Sequence, residues 1–91
     1  MEKYLVVIEK GENNYAAFSP DVWGCIATGK TIEETLSRVK EGIKIQLEGF
    51  VDLGEDIPKA KGIGHHISDG VLKEGKIADE YFITEVGITV H

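Results

Sequence analysis

Residues 24–31 read GCIATGKT and match the phosphate-loop pattern G-x-x-x-x-G-K-[ST] of nucleotide hydrolases. In such a loop the backbone amides surround a phosphate, the lysine reaches the terminal phosphates, and the Ser or Thr binds magnesium at the start of a helix. The variable positions here are Cys25, Ile26, Ala27 and Thr28, a run that favours an extended backbone. We therefore interpret the match as coincidental and expect a β-strand in this place, with no bound nucleotide or other cofactor.

A second group of candidate functional residues comprises His65, His66 and Asp69. Imidazole and carboxylate groups bind zinc, but adjacent residues point apart in a strand and about 100° apart in a helix, so the two histidines are poorly placed to share one metal ion. We expect both to be exposed loop residues and predict no metal site. Cys25 is the single cysteine, which excludes an internal disulfide, and we expect it to be a small buried apolar residue.

The composition indicates a small acidic globular domain. The chain has 91 residues, of which 42% are hydrophobic, and its formal net charge is −6. A nucleic-acid surface needs clustered basic residues, so direct binding to nucleic acid is not expected. The acidity fits a basic protein partner, or it only keeps the protein soluble, and the composition does not separate these interpretations. Because no signal peptide or membrane span is apparent, we expect a cytoplasmic protein with one domain over residues 1–91.

Three strands are predicted in the first third of the chain. Residues 4–9 and 15–19 are aromatic and apolar runs joined by a hairpin loop rich in Gly and Asn. Pro20 and Asp21 favour a turn, after which residues 25–29 are predicted to form a third, short strand. Strands that are joined by such short connections pair in an antiparallel fashion.

A helix is predicted to begin after Thr31. Thr31 and Glu34 form a capping box, in which the hydroxyl accepts from the Glu34 amide and the carboxylate accepts from the Thr31 amide. An apolar stripe at steps of three and four predicts the face that packs on the sheet, and it comprises Ile32, Leu36, Val39, Ile43, Leu47 and Phe50. Gly42 interrupts the helical pattern, and we expect it to allow close packing.

The rest of the chain predicts a loop and a last strand. Residues 54–78 are rich in turn signals and favour a loop, with one short helix over residues 67–73. Residues 80–90 alternate and predict a long strand, with a bulge at Gly87. The fold class is therefore α+β, with the order β-β-β-α-(short α or loop)-β. Three strands are antiparallel, the final strand lies beside the first and parallel to it through a right-handed crossover, and the helix covers one face.

Several short motifs occur together in the first part of the chain. They are YLVVIE, a Gly/Asn turn, YAAFSPD, GCIATGKTIEE and, after the helix, LEGFVDLGEDIP. In this order they resemble the HicB-type antitoxin family, and the resemblance covers residues 4–58. The matching positions are Tyr4, Ile8, Glu9, Tyr15, Phe18, Pro20, Asp21, Gly24, Cys25, Gly29, Thr31, Glu33 and Glu34. Lys30 departs from the family's usual acidic residue and thereby creates the phosphate-loop match, and Trp23 stands where a small residue or proline is common.

The resemblance implies a degraded RNase H-like fold and a role as an antitoxin. The implied partner is a HicA-type toxin, a small basic ribonuclease that cleaves messenger RNA and whose surface the antitoxin occupies. An RNase H-type nuclease needs several carboxylates around two metal ions, but Glu9 lies at the end of the first strand and Asp21 on a turn. We therefore expect no catalytic residue and no enzymatic activity. No basic recognition helix follows residue 58, so a separate C-terminal DNA-binding domain is not expected.

The predicted toxin contact is the turn that contains Pro20, Asp21 and Trp23. Exposed acids of the helix are expected to contribute charge to it, and they are Glu33, Glu34 and Glu41. Trp23 has two open interpretations, an exposed aromatic anchor at an interface or a lid over the core. The alternative function is an orphan HicB-like domain that acts as a homo-oligomer, paired through a sheet edge, with an unrelated protein partner.

Overall fold

The computed structural model describes residues 1–73 and 77–90, and these form an α+β structure as predicted. The elements are β1 (Glu2–Lys10), β2 (Tyr15–Ser19), β3 (Val22–Gly29), α1 (Ile32–Asp52), α2 (Ile63–Ser68) and β4 (Tyr81–Ile88). The strands form a sheet in the order β3-β2-β1-β4, so that β3 and β4 are its edges. Residues 74–76 of the predicted loop, and residue 91, lie outside the described residues.

Helix α1 begins and packs as its sequence predicts. The Thr31 hydroxyl accepts a hydrogen bond from the Glu34 amide at 3.0 Å. The returning contact differs from the expected capping box, because the Glu34 carboxylate accepts from the Lys30 amide, at 3.4 Å. The apolar stripe faces the sheet; Val39, Ile43 and Leu47 are buried in it, and Ile32, Leu36 and Phe50 pack at its margins. These contacts cover one face of the sheet and form the main hydrophobic core.

The expected role of Gly42 in close packing is wrong. A Cβ built at this position meets no atom within 4 Å beyond its chain neighbours and the backbone of its own helix. The glycine therefore weakens α1 without admitting any neighbouring group.

The final strand lies beside β1, as predicted, but the predicted parallel direction is wrong. β4 is antiparallel to β1, with Glu2 opposite Ile88 and Glu9 opposite Tyr81. The segment that follows α1 lies near the start of β1, where the Ala60 amide donates to the Glu2 carboxylate at 2.9 Å. It then reaches the other end of β1, where the Ala78 amide donates to the Glu9 carboxylate at 2.8 Å. Because the chain lies near the start of β1 at Ala60 and near its end at Ala78, β4 begins beside the end of β1 and runs antiparallel to it.

The second face of the sheet is buried where it is formed by the central strand β1. Register places Val7, Phe18 and Ile26 in one row on the face that points away from α1, and Leu5 shares that face. Leu5 and Val7 are nevertheless buried. Helix α2 lies over this face, because its residues share a pocket with Phe18 and Ile26. The central strand is therefore covered on both sides, which explains its unbroken apolar run.

Details of the remaining elements also differ from the sequence predictions. The short helix occupies Ile63–Ser68, so it begins earlier than the predicted range of residues 67–73. Strand β3 begins at Val22 rather than at residue 25. Gly87 forms no bulge, since the pairing of β4 with β1 is continuous and places it opposite Lys3. Its missing side chain instead leaves room for Met1, whose sulfur occupies the space that a Cβ would take.

Within the described residues, no helix combines the length and apolar character needed to cross a membrane.

Candidate protein-binding surface

Residues 26–29 of the phosphate-loop match are paired in an extended strand, as predicted. Positions 24–29 belong to β3, and Thr31 caps α1. Because amides in a strand alternate in direction, they cannot converge on one phosphate. Among residues 1–73 and 77–90, no three His, Cys, Asp or Glu side chains are grouped so that they could hold a metal ion.

A bulge interrupts β3 just after its first residue. Ser19 pairs with Val22 and Phe18 pairs with Ile26, so Trp23, Gly24 and Cys25 stand between positions that are adjacent on β2. Gly24 has a φ of +83°, which a residue with a side chain rarely adopts. We call Trp23–Gly24–Cys25 the Trp23 bulge. It turns the indole outward, so that 90% of Trp23 is exposed, and the lid interpretation of this residue is wrong.

The side chain of Gln46 connects helix α1 to the Trp23 bulge. Its Nε2 donates to the Trp23 carbonyl at 2.7 Å, and its Oε1 accepts from the Cys25 thiol at 2.9 Å. Cys25 is buried, as predicted, and burial raises the pKa of its thiol, which keeps the proton that it donates. Sequence reasoning missed Gln46, because nothing in the local pattern links it to a turn that lies more than twenty residues earlier.

Asp21 is buried beneath the turn rather than exposed on it. Its carboxylate accepts hydrogen bonds from the Leu5 amide at 2.9 Å, from the Lys61 amide at 3.0 Å and from His66 Nε2 at 2.7 Å. Desolvation by burial raises the pKa of Asp21, but the hydrogen bonds outweigh it and the net pKa is lowered. The ionised carboxylate thus connects three parts of the fold, namely strand β1, helix α2 and the segment that follows α1. Because its side chain is 0% exposed, Asp21 is not available for direct contact with a partner.

The expectation that both histidines are exposed loop residues is wrong, because both lie in α2 and His66 is buried. His66 is 4% exposed and is held by Asp21. His65 is exposed, as predicted, and its Nε2 lies 4.0 Å from the Asp69 carboxylate. No local signal could have revealed the buried pair, since Asp21 and His66 are 45 residues apart in sequence.

A pocket of about 420 Å³ lies beside the Trp23 bulge, between β2–β3 and α2. Phe18, Ile26 and Val71 contribute apolar walls, and Pro20 and Trp23 stand at its side. Ile26 is 75% exposed although it belongs to a strand. We call Pro20, Trp23, Ile26 and this pocket the Trp23 surface. Large apolar side chains that remain exposed together are typical of protein-binding sites.

The predicted acids lie on α1, but they do not all lie near the Trp23 surface. Glu33 and Glu34 are in the first turn, and Glu34 is paired with Arg38 at 3.0 Å. The bulge contacts α1 at Gln46, which is roughly 18 Å further along the helix axis. Glu41 is exposed and lies between these points.

Sequence reasoning also missed an acidic stripe on the outer side of α1. The heptad steps from Glu34 through Glu41 to Glu48 place these residues on one side of the helix, and Asp52 lies five full turns from Glu34 on the same side. Glu41, Glu48 and Asp52 are exposed, so this stripe extends beyond the acids that were predicted.

A sequence model of the HicB_like antitoxin family of bacterial toxin–antitoxin systems matches residues 4–78. The chain belongs to this family. The family expected from the short motifs is thereby confirmed, and the match extends further along the chain than the motifs did.

Curated relatives of the chain include phage and bacterial proteins. An uncharacterized 14.9 kDa protein of Haemophilus phage HP1 is 34% identical over 71 residues, which make up 78% of this chain and 53% of that protein. A UPF0150 protein of Helicobacter pylori is 51% identical over 41 residues, or 45% of this chain and 57% of that protein. The chain thus spans little more than half the length of these two relatives.

Solved antitoxin structures share the fold. The N-terminal domain of the Burkholderia pseudomallei antitoxin HicB superposes with a TM-score of 0.77 at 19% identity, covering 97% of this chain and 99% of that one. A chain of the HicA3 and HicB3 toxin–antitoxin complex superposes with a TM-score of 0.71 at 24% identity, again covering 97% and 99%. At this level of identity the likeness establishes the fold, and it agrees with the predicted HicB-like architecture.

Proposed function

We propose that this chain binds and neutralises a HicA-type toxin, a small basic ribonuclease that cleaves messenger RNA, in the cytoplasm. Family membership supports an antitoxin role, and one solved relative of the same fold comes from a complex named for HicA3 and HicB3. The observation that carries the proposal is the exposed indole of Trp23, which is 90% exposed and stands on a bulge held by two hydrogen bonds. Tryptophan is among the residues that dominate binding energy at interfaces.

The Trp23 surface has the chemistry of an interface centre. An indole buries on the order of 200 Å² when a partner covers it, and its N–H can donate to a partner's polar group. Ile26 adds a second exposed apolar side chain, and the adjacent pocket can receive a side chain from the partner. The surrounding rim is polar, with Lys61, His65 and Asp69 lining the pocket. An apolar centre within a polar rim is the usual arrangement of protein interfaces.

Charge favours a basic partner. The formal net charge of the chain is −6, and the exposed acids Glu41, Glu48 and Asp52 line the outer side of α1. Opposite net charges raise the rate of encounter, and this effect weakens as salt screens it. The acids therefore contribute to the association rate, whereas Trp23 contributes to the lifetime of the complex.

The test is co-expression with a small basic toxin encoded beside the gene, followed by a measurement of affinity by calorimetry. We expect rescue of growth, co-purification and a tight complex. Trp23→Ala should weaken binding by at least about 30-fold, as expected for a hot-spot tryptophan. Ile45→Ala is the matched control, because Ile45 is an apolar side chain, 60% exposed, on the outer side of α1. Absence of both rescue and co-purification would refute the proposed function.

The second candidate function is a homo-oligomeric interaction domain with an unrelated partner. It is favoured by the β4 edge of the sheet, where Tyr81 is 38% exposed and Phe82 is 43% exposed. Such an edge can pair with a second copy. Light scattering on the purified chain measures this directly. A dimer that Phe82→Glu converts to a monomer would support pairing through β4, and a wild-type monomer would contradict it.

A further inference from the structure

The polar end of Gln46 is engaged by the Trp23 bulge on both of its sides. The amide nitrogen donates to the Trp23 carbonyl at 2.7 Å, and the amide oxygen accepts from the Cys25 thiol at 2.9 Å. A side chain with only a donor or only an acceptor could not bind both the Trp23 carbonyl and the Cys25 thiol. Gln46 follows Ile43 by one helical turn and precedes Leu47, both of which are 0% exposed, so packing of α1 on the sheet fixes its backbone.

The side chains of the first two residues of the bulge contribute little packing. The Trp23 side chain is almost fully exposed, and Gly24 has no side chain to pack. A Cβ built at Gly24 meets no atom within 4 Å outside its chain neighbours. The register with β2 passes from Val22 directly to Ile26, so the residues of the bulge are outside the regular ladder. The burial of Cys25 and the hydrogen bonds of Gln46 are thus the contacts that define where the indole projects.

We propose that Gln46 is a positioning residue, which holds the Trp23 bulge in the conformation that is presented to the partner. The inference rests on the proposed function for the identity of that partner, a basic HicA-type toxin. Gln46 acts through Trp23, because both polar atoms of its amide bind the bulge. A bulge that is ordered before binding loses less conformational entropy when the partner docks. Losing that order should weaken binding about 10- to 100-fold.

The test is a double-mutant cycle between positions 46 and 23. Gln46→Leu keeps the size of the side chain and removes both hydrogen bonds, and it should weaken toxin binding about 10- to 100-fold. In the Trp23→Ala background the same change should alter affinity by less than about 3-fold, because the indole that it positions is already absent. Ser37→Leu, at an exposed neutral position of the same helix, is the matched control and should leave affinity unchanged. Equal losses in both backgrounds would overturn the proposal.

Gln46→Glu adds a pH-dependent readout. The ionised carboxylate still accepts from the Cys25 thiol but cannot donate to the Trp23 carbonyl, and the protonated acid can make both contacts. We therefore expect affinity relative to wild type to recover as pH falls through the pKa of the introduced carboxyl. Absence of this recovery would count against the proposal, because it would mean that the two hydrogen bonds of position 46 do not affect binding.

The free protein supplies a measurement that does not depend on the toxin. Trp23 is the single tryptophan, so its time-resolved fluorescence anisotropy reports motion of the bulge. We expect faster local depolarisation in Gln46→Leu than in wild type and Ser37→Leu, with the far-UV circular dichroism unchanged. If wild type binds no HicA-type toxin, the proposed function fails and the anisotropy decides on the positioning role by itself. Unchanged anisotropy in Gln46→Leu would overturn that role whether or not the toxin binds.

Discussion

Removal of the Asp21 carboxylate should strongly destabilise the domain. The carboxylate is the acceptor for the Leu5 amide, the Lys61 amide and His66 Nε2, at 2.9, 3.0 and 2.7 Å. In Asp21→Ala all three donors lose their acceptor, and the donors of Leu5 and His66 are deeply buried. Each buried donor left unpaired costs about 1–3 kcal/mol, so the two deeply buried donors alone give an expected loss of roughly 2–6 kcal/mol in the free energy of unfolding.

That loss is large compared with the stability of a domain of this size. At roughly 0.05–0.15 kcal/mol per residue, the whole chain is stabilised by about 5–14 kcal/mol. Asp21→Ala should therefore unfold at much lower urea concentration or fail to fold. Asp21→Asn is the measurable variant, because the amide oxygen still accepts while its NH₂ group faces a donor. We expect it to cost about 1–3 kcal/mol.

The assay is urea unfolding followed by far-UV circular dichroism at neutral pH. Tryptophan fluorescence is a poor probe of unfolding here, because Trp23 is already 90% exposed in the folded protein. Asp56→Asn is the matched control, since it makes the same chemical change at an exposed position and should shift stability by less than about 0.5 kcal/mol. If Asp21→Asn were as stable as Asp56→Asn, the idea that the carboxylate joins three segments of the fold would be refuted.

Three further predictions concern acid stability, the glycine in α1 and the core stripe. The hydrogen bonds of Asp21 lower its folded-state pKa below the ordinary value of 3.8, so its stabilisation is complete well above that value and is lost as pH falls through the folded pKa. Urea unfolding of wild type from about pH 6 to about pH 2.5 should show this loss. In Asp21→Asn the free energy of unfolding should fall less over the same range, because the variant has no carboxyl group at this position. Gly42→Ala should stabilise the protein by about 0.5–1 kcal/mol in thermal or urea unfolding, because the added methyl group meets no neighbour; destabilisation would show that the glycine is needed. Ile43→Ala should cost about 2–5 kcal/mol while Ile45→Ala changes stability by less than about 0.5 kcal/mol, and similar losses at both positions would contradict the assigned face of α1.

Local sequence signals were sufficient wherever the deciding interactions are close in the chain. The spacing of Val39, Ile43 and Leu47 predicted the buried face of α1, and Thr31 predicted its first residue. The extended preference of residues 25–28 correctly separated a strand from a phosphate loop. The short motifs predicted the HicB-like family, which the family model confirms.

The candidate surface could be predicted only in part. Trp23 was assigned to a turn, but its exposure depends on a bulge in the register of β2 and β3 and on a hydrogen bond from Gln46 in a distant helix. Asp21 belongs to the same motif and was expected beside it, yet its carboxylate is directed inward by donors from residues 5, 61 and 66. These partners lie 16 to 45 residues away, beyond the reach of any local pattern.

Turn chemistry and periodicity act over a few residues, and they were therefore enough to predict the kinds of elements, their order and the apolar face of α1. The direction of β4, the inward orientation of Asp21 and the outward orientation of Trp23 depend on contacts between distant segments of the chain. The segment between α1 and β4 carries few periodic residues, so its course over the second face of the sheet is set by contacts with β1 and Asp21. Such contacts join segments that are far apart in sequence, and they exist only once the chain has folded.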